Sequence, residues 1–298
     1  MAKVTFRRVL HVLFRSKVTA MLPVGGGFMF LVGSFFFWPD IAPALGNDIA
    51  GDVGATLFLV GSILYLLTPL LDFADMSYSI KDLSGEAPAP SEKGMWERLY
   101  KAQMYRTQRA NALLYAVSGI CFVAGSCLFY PQMRAESTHG AWLYLMGCVV
   151  SFLGAFLAAS TAYELKKTAE PVSYPPGVFT MPSLSDEDAQ MISCALYMLG
   201  DLFYAVGSIF FFPLMYSKQV NGMATSFTGS VINMDTGDVV EIGHVAELPA
   251  VVLFILGSVI FVAGALIDLL ALLRSNKREG QAGGGGGLVD EASGLVKR

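Results

Sequence analysis

Six long stretches of the chain are predominantly apolar, near residues 20–38, 53–71, 111–130, 141–163, 191–213 and 249–272. A hydrocarbon core of about 30 Å takes roughly 20 helical residues, so each stretch is long enough to cross one. The apolar positions run on and do not alternate, which predicts spanning helices and not barrel strands. Between them the pattern changes. Residues 3–18 carry no acid; Phe6, Val9, Leu10, Leu13 and Phe14 fall on one helical face, and Arg8, His11 and Arg15 on another. This predicts a basic amphipathic helix over 1–19, lying at the membrane surface. Its composition is also that of an organelle-targeting segment, here expected to be retained. Met95, Trp96, Leu99 and Tyr105 predict an interfacial helix over 95–110. In the longest outer loop, 214–248, Val231–Met234 and Val239–Ile242 flank Asp235-Thr236-Gly237-Asp238, which predicts a small outer β-hairpin. Ser185 followed by Asp186-Glu187-Asp188 predicts an N-cap and an acidic first turn for the fifth span.

The apolar runs repeat a phrase. Gly33-Ser34-Phe35-Phe36-Phe37-Trp38-Pro39, Gly125-Ser126-Cys127-Leu128-Phe129-Tyr130-Pro131 and Gly207-Ser208-Ile209-Phe210-Phe211-Phe212-Pro213 each end an odd-numbered span. A small residue stands six or seven positions upstream: Gly26, Gly119 and Gly200. Seven residues are nearly two turns, so Gly26 and Gly33 share a face, as do Gly200 and Gly207. The second span carries Leu57-Phe58 and Gly61-Ser62, the sixth Leu253-Phe254 and Gly257-Ser258, and each has an acid eleven residues after the glycine, Asp72 and Asp268. The fourth departs, with Leu143-Tyr144, Gly147-Cys148 and Ala158 where the acid would be; Glu164 lies further on. Small residues on one face let helix backbones approach closely in lipid. Gly26, Gly33, Gly61, Gly119, Gly125, Gly147, Gly200, Gly207 and Gly257 are therefore the expected helix-packing positions.

The expected fold is an all-α integral membrane protein of six transmembrane helices, arranged as three tandem helical hairpins. Its parts are the surface helix (1–19), a first hairpin (20–80), a linker with the interfacial helix (81–110) and a second hairpin (111–167). A proline-rich inner loop (168–190), a third hairpin (191–273) and a glycine-rich tail (274–298) complete it. The run "FLVGSFFFWP…LFLVGSILYLLTPLLD" over the first two spans resembles the YrhK-type membrane domain, a small two-span bacterial module. The resemblance covers spans one and two well, five and six fairly well, and three and four only through the first helix. It implies a fold unit and brings no catalytic residues.

Composition agrees with lipid as the solvent. Of 298 residues 54% are hydrophobic and 15% charged, against about a quarter charged in soluble domains. The Lys and Arg residues are placed unevenly. Those before span one, between spans two and three, after span four and after span six all fall on one side. Only Arg134 and Lys218 fall on the other. The positive-inside rule then puts both termini on the cytoplasmic or matrix side. Cys121, Cys127, Cys148 and Cys194 have no metal or disulfide spacing and read as apolar fillers.

Asp201 is the sharpest candidate for chemistry. It lies inside the fifth span, where an ionised carboxylate costs roughly 2.5–3.5 kcal/mol, and no span supplies a basic partner. It reads either as a proton or cation site, or as a protonated acid bonded to a Ser or Thr of a neighbouring helix or to another subunit. Asp72, Glu164 and Asp268 lie at the inner ends of their spans, and acids there run against the helix dipole; pairing with basic residues of the inner surface is the expectation. His11, His139 and His244 lie outside the spans, which argues against haem held between helices. No phosphate loop or hydrolase motif occurs. The sequence therefore predicts no catalytic residue, no metal site, no cofactor and no nucleic-acid partner. The preferred reading is a non-enzymatic accessory subunit among lipids and other membrane subunits, with the mitochondrial inner membrane and a respiratory complex as the setting. The alternative is a small-solute or proton-coupled transporter or channel using Asp201; a redox or lipid-modifying enzyme is the weaker third.

Overall fold

The computed structural model describes the backbone of residues 2–38, 41–85, 92–168, 185–210, 230–232, 239–241 and 244–282. Its helices are α1 (Ala2–Phe36), the short α2 (Ile41–Leu45), α3 (Asn47–Gly85), α4 (Glu92–Leu128), α5 (Ser137–Thr168), α6 (Asp186–Ile209) and α7 (His244–Ala282). Six contain a segment long and apolar enough to cross a membrane: Val18–Phe36, Ile49–Ala74, Gln103–Leu128, Thr138–Lys167, Glu187–Ile209 and Leu248–Arg274. The chain is an integral, multi-pass membrane protein.

The helices outrun the spans. Ala2–Phe36 is one helix, with no break at residue 19 to separate a surface segment from the span. Likewise Glu92–Leu128 is continuous where the sequence predicts an interfacial helix leading into a span. Neither 3–18 nor 95–110 holds a glycine or proline, so nothing local ends the hydrogen-bond ladder. Between α1 and α3 the chain turns through α2 and Gly46, whose φ of 90° suits glycine. A 3₁₀ turn, Pro131–Glu136, joins α4 to α5. Ser185 caps α6, its Oγ accepting the amide of Asp188 at 3.0 Å. Beyond the helices, Ser230–Ile232 pairs antiparallel with Val239–Glu241, Val231 opposite Val240. The proposed turn at 235–238, most of the proline-rich loop and residues 283–298 of the tail lie outside the described residues.

Each spanning helix packs on the next in sequence, and α7 returns to pack on α1, so the six close into a ring. Three of these contacts are built alike. A Cβ on Gly26 of α1 would come 3.0 Å from the Gly61 carbonyl of α3, and one on Gly61 would come 2.9 Å from the Gly26 carbonyl. Gly200 and Gly257 of α6 and α7 face each other in the same way at 3.3 and 3.2 Å. One step toward the Gly-Ser phrase, Gly33, Gly125 and Gly207 receive the rings of Phe58, Tyr144 and Phe254. As residue numbers rise on one helix they fall on its partner, so each pair is antiparallel. In α4 the residue seven before Gly125 is Ser118, not Gly119. Ser118 takes the central position and donates to the Gly147 carbonyl at 2.8 Å. Gly119 belongs to a different contact, on Leu66 of α3. The even helices carry matching stripes, Gly140, Gly147 and Gly154 in α5 being the fullest.

Aromatic rings fill the axis. Phe58, Tyr144 and Phe254, at the same position of α3, α5 and α7, form a triangle with centroids 6.2, 5.9 and 6.1 Å apart. A pseudo-threefold axis passes through it. One layer further in, Phe30 lies 6.5 Å from Phe122 and 6.0 Å from Tyr204, again three equivalent positions. Each such pair contributes about 0.5–1.5 kcal/mol beyond the area it buries. That matters in lipid, where helix association has no hydrophobic drive and rests on packing and hydrogen bonds. The exterior is apolar at equivalent positions too: Phe28, Ile120 and Leu202 on the odd spans, Ile63, Val149 and Val259 on the even ones. The serines of the repeated phrases face inward instead. Ser34, Ser208 and Ser258, all buried, satisfy themselves by donating to the carbonyl four residues back, on Phe30, Tyr204 and Phe254.

Candidate functional site

The threefold register locates Asp201. Counting back six from the glycine of each Gly-Ser phrase gives Gly27, Gly119 and Asp201. These positions do not face the other helix of their own pair; they face the next pair round the ring. Gly27 sits on α7, where a Cβ would meet Val262 at 2.8 Å and the Phe261 ring at 3.2 Å. Gly119 sits on α3, where a Cβ would come 2.9 Å from Leu66. Asp201 sits on α5, beside the Ser151 hydroxyl.

The facing positions differ in step. Four residues after Gly61, Gly147 and Gly257 come Tyr65, Ser151 and Phe261. One joint thus sets a glycine beside an aromatic ring, the second a glycine on Leu66, the residue after Tyr65, and the third an aspartate beside a serine. A ring is removed from one helix and a carboxymethyl group is added to the other, which keeps the joint filled. Local helix formation is untouched, because the exchange changes side chains and not the ladder.

Asp201 is 2% exposed, and its Oδ2 has no hydrogen-bond partner among the described residues. Ser151 is bonded onward to the Tyr65 hydroxyl at 2.9 Å, and Tyr65 lies against Ser118. Four polar side chains from four helices, α3, α4, α5 and α6, therefore meet off the axis. A buried carboxyl without a cation is stable when neutral, and hydroxyl groups can carry the hydrogen bonds of either protonation state.

The other predicted acids do not join it. Asp268 of α7 accepts the Tyr197 hydroxyl at 2.9 Å, so a phenol of α6 partners it. Tyr197 stands where α4 has Tyr115 and α1 has Pro23; only the third pair combines that tyrosine with the acid. Asp72 and Glu164 are exposed. The dipole argument fails for Asp72 and Asp268, since α3 continues to Gly85 and α7 to Ala282. His139 is exposed and bonds Glu136 at 2.7 Å. The four cysteines are free thiols, Cys148 and Cys194 buried. Among the described residues no three His, Cys, Asp or Glu side chains gather as metal ligands would.

The model of the family described as YrhK-like protein matches residues 15–76, 105–161 and 189–272. The chain belongs to this family. No curated protein and no solved structure matches it. Each YrhK-like segment holds two of the six spans, and the second runs through both α4 and α5. It thus extends further than the sequence phrase alone carries the resemblance, because Tyr144, Gly147 and Cys148 keep the register of Phe58, Gly61 and Ser62. That register also exposes what a motif search passes over. Ser151 occupies the aromatic slot that Tyr65 and Phe261 fill in the other YrhK-like segments, and Asp201 occupies a glycine slot. Aligning the three segments residue by residue would have paired them.

Proposed function

We propose that this YrhK-like protein is a non-catalytic membrane scaffold, an accessory subunit of a larger membrane complex, built as three tandem hairpins. The observation that carries this reading is the aromatic filling of the axis, with Phe58, Tyr144 and Phe254 in mutual ring contact. A bundle closed in this way offers rigid shape and a continuous apolar exterior to lipid and to neighbouring helices. The distribution of Lys and Arg supports both termini on the cytoplasmic or matrix side, with the strand pair 230–241 opposite. The acid-free basic N-terminus suits an energy-transducing inner membrane. Mild detergent extraction followed by native sizing tests the assignment: a particle well above 32 kDa of protein, with co-purifying subunits, is expected, and a lone monomer refutes it.

One observation favours a second reading, a proton-coupled or small-solute transporter. Asp201 holds an unpartnered carboxylate oxygen inside the bundle. Flux in proteoliposomes, lost in Asp201→Asn, supports transport; flux unchanged by that substitution removes Asp201 from it.

A further inference from the structure

The hydroxyl groups around Asp201 have a direction. Ser118 donates its one proton to the Gly147 carbonyl, so toward Tyr65 its oxygen can only accept. Tyr65 can then donate to Ser118 and accept from Ser151, 2.9 Å away. In this order Ser151 donates to Tyr65, and toward Asp201 it accepts. A row of O–H donors ordered from the Gly147 carbonyl backward ends on Asp201 as the first donor. A protonated carboxyl fills that place, and in this order every hydroxyl proton of the row is used. The titratable groups facing Asp201 are Tyr65 of α3, Tyr115 of α4, Cys148 of α5 and Tyr204 of its own helix. None is a cation, so nothing there compensates a carboxylate.

The two ends of the bundle are not alike around this group. Toward the Gly-Ser phrases stand two aromatic layers, Phe30 with Phe122 and Tyr204, then Phe58 with Tyr144 and Phe254. Toward the other end rings and polar groups mix: Phe261 lies 5.6 Å from Tyr65 and 4.8 Å from Tyr197, and phenols and acids stand beside it. The Tyr65 ring lies 6.3 Å from Tyr115. Tyr115 is within electrostatic reach of Asp268, which holds the Tyr197 hydroxyl. Asn111, one turn further along α4, has a buried oxygen without a partner among the described residues.

We propose that Asp201 is a proton-binding site, neutral at rest, which exchanges its proton with water only from the end of the bundle that carries Asp268. The site deepens the transporter reading by naming its ligand, yet it requires nothing to cross the bilayer. A scaffold could use it to sense pH on one side.

Infrared difference spectroscopy on the whole protein in liposomes tests it. Wild type minus Asp201→Asn is expected to show the carbonyl stretch of a protonated acid at neutral pH, shifting in heavy water. A carboxylate band in its place overturns the proposal. Should D201N fail to accumulate, D201G installs the residue of the two equivalent positions and serves as the blank. The rate of the heavy-water shift then tests access. Asp268→Asn is expected to slow it several-fold and Tyr144→Phe, in the outer aromatic layer, to leave it unchanged. Equal effects from the two overturn one-sided exchange. An acid band that exchanges in this way, in a protein whose flux ignores Asp201→Asn, keeps the site and discards transport.

Discussion

The ring has two kinds of helix contact, and they have diverged differently. Within each pair, α1 with α3, α4 with α5 and α6 with α7, the same small residues meet at the same depth, and one aromatic ring seats on one glycine three times over. Between pairs, the three joints differ: Gly27 on Phe261 and Val262, Gly119 on Leu66, and Asp201 beside Ser151. Backbone-to-backbone approach tolerates almost no variation, because carbonyls cannot yield as side chains can. A joint between units is met mainly by side-chain atoms, of Val262, Phe261, Leu66 and Ser151, and can be rebuilt by paired changes. The repeat therefore holds its pattern where the unit folds and departs from it where units meet. It is at a joint that the one buried, uncompensated acid of the described residues occurs.

The largest effect is expected from breaking a contact within a pair. In Gly26→Leu, the new Cβ meets the Gly61 carbonyl at 3.0 Å, and the whole of α3 must retreat. The cost should reach or pass the ~3 kcal/mol upper end of ordinary overpacking, seen as loss of accumulation or a collapsed unfolding midpoint in detergent. Gly27→Leu, one residue on, meets the Val262 methyl at 2.8 Å and the Phe261 ring at 3.2 Å, side-chain atoms that can turn aside where a carbonyl cannot, and should cost less. Equal losses would erase the distinction between the two kinds of contact.

A paired exchange sharpens it. Ser151→Phe alone drives a ring into Asp201, and Asp201→Gly alone leaves a gap beside Ser151. Together they rebuild the glycine–aromatic joint found at α1 with α7. Residues in contact couple by about 0.5–3 kcal/mol, so the double variant should be more stable than the sum of the single losses allows. Strict additivity in unfolding midpoints would mean that the three joints are not equivalent.

Much of this was legible in the chain, and the limits have physical reasons. Long apolar runs announce six spans, and the Gly-Ser phrase announces three copies. Ser185 announces the start of α6 as a cap, because its short oxygen can reach the Asp188 amide. The amphipathic pattern of 3–18 predicts a helix but cannot say whether its axis bends at residue 19; only the uninterrupted ladder of α1 answers that. A search for glycine picks Gly119, which packs on Leu66 of α3, and passes over Ser118, which holds the contact within its own pair, because that contact needs smallness at a register and not glycine as such. Closure of the ring is illegible, since periodicity gives the face of each helix and not its neighbour. Asp201 is conspicuous by its charge. Its partner Ser151 is inconspicuous until the three YrhK-like segments are laid in register and an aromatic residue is found missing.

The smallest expected effect comes from a position where the copies differ by one atom. Tyr204 stands where α1 has Phe30 and α4 has Phe122, so the ring is required and the hydroxyl is not. Ser258 has given its proton to the Phe254 carbonyl at 2.7 Å. The Tyr204 hydroxyl, 2.7 Å from that serine oxygen, must therefore be the donor. Tyr204→Phe removes this bond and leaves Ser258 satisfied, with no orphaned donor in the core. Interhelical hydrogen bonds in membranes average about 0.6 kcal/mol, and the variant should lose no more than that. A drop in unfolding midpoint comparable to that of Gly26→Leu would show that the hydroxyl organises the third pair, and that the copies differ more deeply within pairs than their shared small residues imply.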